Sequence, residues 1–125
     1  LICLLPREEY NEAIATVVTD NPQNFSEFWD FYVHEHSVPL NRALHFVGSL
    51  LSLAILFSLM WFGYWYYFPL AFVQGYAWAW AGHFLVEKNR PATFRFPLWS
   101  FAADWVMVWY MLQGKMSAEV QRINT

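Results

Sequence analysis

A chain of 125 residues that is 58% apolar, 22% aromatic and only 14% charged is one domain with far fewer charges than the roughly one quarter usual for a soluble protein. Its net charge of -3, with no basic arm or cluster, excludes a nucleic-acid partner, since backbone binding needs several Lys or Arg on one face. The lone Cys3 excludes an internal disulfide.

The first ten residues, LICLLPREEY, carry an apolar run too short for a signal peptide and lack a basic lead; residues 1–24 read as an N-terminal tail. Asn24 or Ser26 can cap a helix near Ser26 to Ser37, accepting amide protons that have no partner inside it. Phe28, Trp29, Phe31, Tyr32 and Val33 are its apolar members. Too short and too charged to cross a bilayer, this helix is expected in the interface or against the bundle. Pro39 breaks it.

Between Arg42 and His83 lie forty residues without Lys, Arg, Asp or Glu, enough for two membrane passes at about 1.5 Å per residue. The first pass is expected from Leu40 or Asn41 to about Trp61. Gly63 and the aromatic run Tyr64 to Phe68 mark the far interface. Pro69 opens the return helix, which runs to about Val86 or Lys88, and Ala71, Gly75, Ala77, Ala79, Ala81 and Gly82 allow a neighbour to approach closely. Lys88, Arg90 and Arg95 form the one compact basic loop, which places it and the histidine-bearing helix ends on the cytoplasmic side. Pro97 to Leu112 is a last apolar segment, interrupted by Asp104; residues 115–125 read as a C-terminal tail. The expected fold is all-α: a small integral membrane helical bundle over residues 25–114, with a central transmembrane hairpin and an amphipathic helix leading into it.

His45 and His83 each stand nineteen residues from Tyr64, so a hairpin centred there brings both to one depth. His36, across the Pro39 break, reaches that level if the preceding helix folds back. Glu87 follows His83 by four residues and shares its helical face. Three imidazoles and a carboxylate suit a divalent first-row metal, with a coordination position left open for catalysis. His34 is expected at the surface. Asp104, costly inside an apolar segment, reads either as acceptor for the second N–H of a ligand histidine or as a helix-to-helix bond. Asn41 can cap the first spanning helix, and Arg42 and Arg90 can attract an anionic head group. The residues alone leave three readings open: a metal enzyme, a haem or electron-transfer protein with His45 and His83 as axial ligands, and a membrane scaffold whose histidines merely join helices.

The segments His36-Ser-Val-Pro-Leu-Asn41-Arg-Ala-Leu-His45-Phe-Val-Gly48 and Gly82-His83-Phe-Leu-Val-Glu87-Lys-Asn-Arg90-Pro91-Ala92 together resemble the Mpo1-like family. The resemblance extends from about Phe25 to Met111. It implies a membrane-embedded, Fe(II)-dependent dioxygenase that shortens long-chain 2-hydroxy fatty acids by one carbon, using dioxygen. His36, His45 and His83 then fall on the family's essential histidines, and Glu87, Asn41 and Arg90 on its other recurring polar positions. The fungal member has a longer apolar middle region with a further histidine, so this chain is a compact version, expected in a bacterial inner membrane or the endoplasmic reticulum.

Overall fold

A computed structural model describes residues 18–124 of the chain; residues 1–17 of the expected N-terminal tail lie outside the described residues. Every regular element among the described residues is helical, as expected. Helix α1 spans Phe25–Glu35 and is capped by Asn24, whose side-chain oxygen accepts the amide proton of Glu27 at 2.9 Å. Its face of Phe28, Trp29, Tyr32 and Val33 is buried against the bundle and not left for an interface. The chain turns at His36 and α2, Pro39–Trp61, begins with proline at its first turn, where the missing amide costs nothing.

Helix α2 is the one described helix long and apolar enough to cross a membrane, and only 11% of its most apolar stretch is buried. It stops at Gly63, whose φ of 81° suits a residue without a side chain. Two crossed bonds seal the end: Tyr64 N–H to Leu59 O at 2.8 Å and Gly63 N–H to Met60 O at 3.3 Å. A short 3-10 turn, Trp65–Tyr67, leads into α3, Pro69–Ala81.

Helices α2 and α3 pack antiparallel along small residues. A Cβ on Gly48 would stand 2.8 Å from Cβ of Trp78, and one on Gly75 would stand 2.6 Å from Oγ of Ser52. Ser52 donates to Ala71 O across the seam at 2.7 Å, and Gln74 Nε2 donates to Gly48 O at 3.0 Å. The two helices therefore pair, but the expected transmembrane hairpin is corrected: the return arm is α-helical for only 13 residues, and among the described helices only α2 has the length of a transmembrane helix. The arm then widens into a π-helical turn, Gly82–Glu87, closed by Lys88 in the left-handed region at φ 58°.

Beyond a 3-10 turn at Ala92–Phe94, α4 spans Pro97–Leu112 and α5 spans Met116–Asn124. The segment expected as a C-terminal tail thus contains a helix. Met116 and Ile123 enter a core with Phe28, Trp29, Tyr32 and Val33 of α1 and Ala103 and Met107 of α4. Arg122 joins α5 to α1 through Asp30 at 2.8 Å.

Candidate metal centre

The histidines meet where this core adjoins the hairpin. The facing pairs Ser52 with Ala71, Gly48 with Gly75 and Asn41 with Gly82 share one register, symmetric about the Trp61–Phe62 bond and not about Tyr64. His45 and His83 are accordingly offset by more than a helical turn. They still meet, because side chains tilt toward the N-terminus of their own helix and in an antiparallel pair those tilts converge. His36 arrives from the end of α1, one turn after Tyr32, whose ring stacks on it at 3.9 Å.

The three rings form a pinwheel. Their centroids are 4.5, 4.6 and 4.9 Å apart, with mutual angles of 78°, 83° and 88°. One nitrogen from each lies within 4.8 Å of the other two, and all three residues are buried. Each Nδ1 has an acceptor beside it: Tyr32 O for His36 at 2.6 Å, Asn41 O for His45 at 2.9 Å, and Asn89 Oδ1 for His83 at 2.7 Å. The first two are carbonyls and can only accept. Asn89 spends its amide hydrogens on Glu35 O at 3.0 Å and Glu35 Oε2 at 2.6 Å, so its oxygen is the atom left to face His83.

This bonding puts the proton of every ring on Nδ1 and leaves a lone pair on every Nε2. The Nε2 atoms of His36 and His45 then face each other at 3.2 Å with no proton between them. Two lone pairs at that distance repel, and a cation relieves the repulsion. Protonation is the poorer remedy: burial, reinforced by His45 and His83, holds the His36 imidazole well below its ordinary pKa. A trio of neutral, oriented imidazoles is the donor set of a first-row transition metal. The adjoining cavity of about 20 Å³ has room for one water-sized molecule. Ser100 lines it with a buried hydroxyl that has no hydrogen-bond partner among the described residues. The residues fit a metal with one polar ligand beside it.

The other expected site residues sit around this trio in different roles. Glu87 falls outside the ligand cluster: its Oε1 accepts the amide proton of Val38 at 2.6 Å, capping α2, which has no side-chain cap of its own. Asn41 is wholly buried, with its side-chain oxygen packed over Gly82 and its amide 3.5 Å from Glu87. Arg42 donates to His36 O at 2.8 Å and Ser37 O at 2.9 Å, fixing the corner that delivers His36. Arg90 is exposed. Asp104 makes the helix-to-helix bond and not the histidine bond: it accepts from the Tyr32 hydroxyl, whose ring stacks on His36, and it lines the small cavity beside the trio. His34 is at the surface, 3.6 Å from Glu35.

Tyr32, Asn89, Glu35 and Ser100 were missed from sequence. Tyr32 stands four residues before His36 and Asn89 lies inside the second quoted segment, so position alone could have nominated both.

An all-helical protein with a buried three-histidine donor set, set beside one membrane-length helix, is the class that fold and site define. Residues 22–116 match the family model described as 2-hydroxy-palmitic acid dioxygenase Mpo1-like; the chain belongs to that family. No curated protein and no solved structure matches it. Family membership and the histidine trio together support a metal-dependent oxidative enzyme.

Proposed function

We propose that the protein is an Fe(II)-dependent dioxygenase of 2-hydroxy fatty acids, working in a membrane with its site near the cytoplasmic face. The observation that carries the reading is the trio of Nε2 lone pairs held by three separate Nδ1 acceptors, in a chain of the Mpo1-like family. The overall change balances as R–CH(OH)–COOH plus O2 giving R–COOH, CO2 and water, with the bond between the first two carbons broken.

His36, His45 and His83 would hold the iron, which when bound supplies the one-electron chemistry that lets dioxygen react with an organic acid. The protein's own groups hold and orient. Tyr32, Asn41 and Asn89 fix the imidazole tautomers. Glu87 and Arg42 both bond the α1–α2 corner, the carboxylate accepting from Val38 N–H and the guanidinium donating to His36 O, and the Arg42 guanidinium adds positive charge near a carboxylate substrate. Ser100 offers its unpaired hydroxyl to an oxygen entering the small cavity. Asp104 and Tyr32 close the cavity wall.

The haem reading meets a steric objection: three imidazoles crowd a space of about 20 Å³, and no slot for a macrocycle separates His45 from His83, whose centroids are 4.9 Å apart. The scaffold reading leaves three lone pairs aimed at one another without purpose. Protein loaded anaerobically with Fe(II), then given air and a 2-hydroxy fatty acid, is expected to consume oxygen and release the acid one carbon shorter. Failure to retain iron together with failure to consume oxygen rejects the proposal.

A further inference from the structure

Next to the histidines a larger space opens. A half-open groove of about 270 Å³ runs between α2, α3 and α4. Its α2 wall is Ser49, Ser52, Leu53 and Leu56, a spacing that keeps to one helix face. Among the described residues Asp104 is the one acidic residue lining it and no Lys or Arg does, and His45 stands with Asp104 in the lining. His45, Tyr76, Ala79 and Asp104 line this groove and the small histidine cavity alike, so the two spaces adjoin at these side chains.

Size and polarity select an occupant. A cavity of about 150 Å³ takes the six carbons of benzene, so the groove takes roughly ten. Along α2 it extends from His45 to Leu56, about 16 Å at the helical rise. Its chemistry changes from polar at the histidines to hydrocarbon beyond them, which matches an unbranched acyl chain with a small acidic head. A head held at the trio must send its chain this way, because the histidine cavity of about 20 Å³ has no room for it. A membrane phospholipid offers the same acyl chemistry, but its head group cannot follow to histidines that are only 1 to 4% exposed.

We propose that this groove is the acyl-chain site of the substrate acid, with its far end, at Leu56 on α2 and Phe72 on α3, setting the chain length accepted. The head group rests on the dioxygenase reading; the acyl chain rests on the groove itself. Two measurements test it on the whole protein in detergent or vesicles. In the first, 2-hydroxy acids bearing a photoreactive diazirine either near the carboxyl or at the chain end are crosslinked and the labelled residues mapped. The expected result is that the near-carboxyl probe marks Ala79 or Trp105 and the chain-end probe marks Leu56 or Phe72, each competed by unlabelled 2-hydroxy acid. Label on outward residues such as Leu51 and Phe57, or groove label from a diazirine phosphatidylcholine that 2-hydroxy acid does not displace, overturns the proposal.

In the second, Leu56→Trp and Leu56→Ala are compared over a series of chain lengths. Leu56→Trp is expected to lower kcat/KM for the longest good substrate about tenfold or more relative to shorter ones, the discrimination available from one or two displaced methylenes; Leu56→Ala is expected to shift preference toward longer chains. Unchanged profiles in both folded variants overturn the ruler. Failures separate cleanly: groove labelling without turnover rejects the dioxygenase reading alone, whereas turnover without groove labelling rejects the acyl site alone.

Discussion

The two halves of this molecule obey different rules. Helices α1 and α5, with one face of α4, bury Phe28, Tyr32, Val33, Met107 and Ile123 almost completely, as a water-soluble core does. The α2–α3 hairpin instead turns its large residues outward: Phe57 is 69% exposed, Phe62 71% and Trp61 85%. Inside the hairpin, glycine, serine and alanine make the contact. Water exclusion explains the first half. It cannot explain the second, where the apolar groups face out and the helices meet through small residues and hydrogen bonds, the pattern of packing in lipid. The histidine trio sits at the boundary, with one ligand at the end of α1 and two from the hairpin, so the site exists only if the halves are docked.

The largest effects should come from breaking that boundary. Replacing His36, His45 or His83 singly with Ala is expected to abolish iron retention and turnover while the helical circular dichroism survives; metal analysis checks it. Gly48→Leu should separate the hairpin arms, since even a Cβ meets Trp78 at 2.8 Å. Overpacking of this kind costs about 1–3 kcal/mol or more, read as a lower unfolding temperature in detergent, with loss of metal following from misplacement of His45 and His83.

A subtler cut leaves the ligands in place and removes one acceptor. Asn89→Ala frees the Nδ1 proton of His83 and is expected to weaken metal affinity about 10- to 100-fold, measured by competition with a chelator. The pH response of chelator-stripped protein sharpens the comparison further. The His36 pKa is lowered in the fold, first by burial, so between that value and the ordinary 6.5 the unfolded chain binds a proton that the folded one does not. Stability should be full above about pH 6.5 and decline as pH falls below it, with His36→Ala showing a flatter decline in denaturant titrations. The smallest effect belongs to the surface of the α1–α5 half. Arg122→Ala removes the pair with Asp30, whose arginine is 47% exposed, and should cost no more than about 1 kcal/mol.

How far these features can be read from sequence depends on whether they are local. The Asn24 cap, the helix break before Pro39, the end of α2 at Trp61 and the small residues of the seam follow from what each residue type does to backbone or contact distance, and all are present. The charge-free stretch announced the hairpin, and the histidines at its edges announced the trio. The register slipped, because aromatic clustering puts the hairpin centre at Tyr64, whereas the close pairs Gly48 with Gly75 and Asn41 with Gly82 centre it on the Trp61–Phe62 bond. The Nδ1 acceptors were hidden for a related reason: two are backbone carbonyls, which carry no sequence signature, and the third depends on the π turn that carries His83 and precedes Asn89. Glu87 looked like a ligand by spacing, but the end of α2 lies within reach and an uncapped amide there takes the carboxylate. Helix α5 was illegible because only a few apolar residues, Met116, Val120 and Ile123, mark its buried side.

The central claim is that three imidazoles, each with its proton held on Nδ1, converge on one ion. X-ray absorption at the iron edge of Fe(II)-loaded protein addresses it directly. One iron per chain is expected, with a scattering pattern of three imidazole nitrogens that falls to two in His36→Ala. Fewer than three imidazoles in the native protein, or a spectrum indifferent to loss of His36, would contradict it.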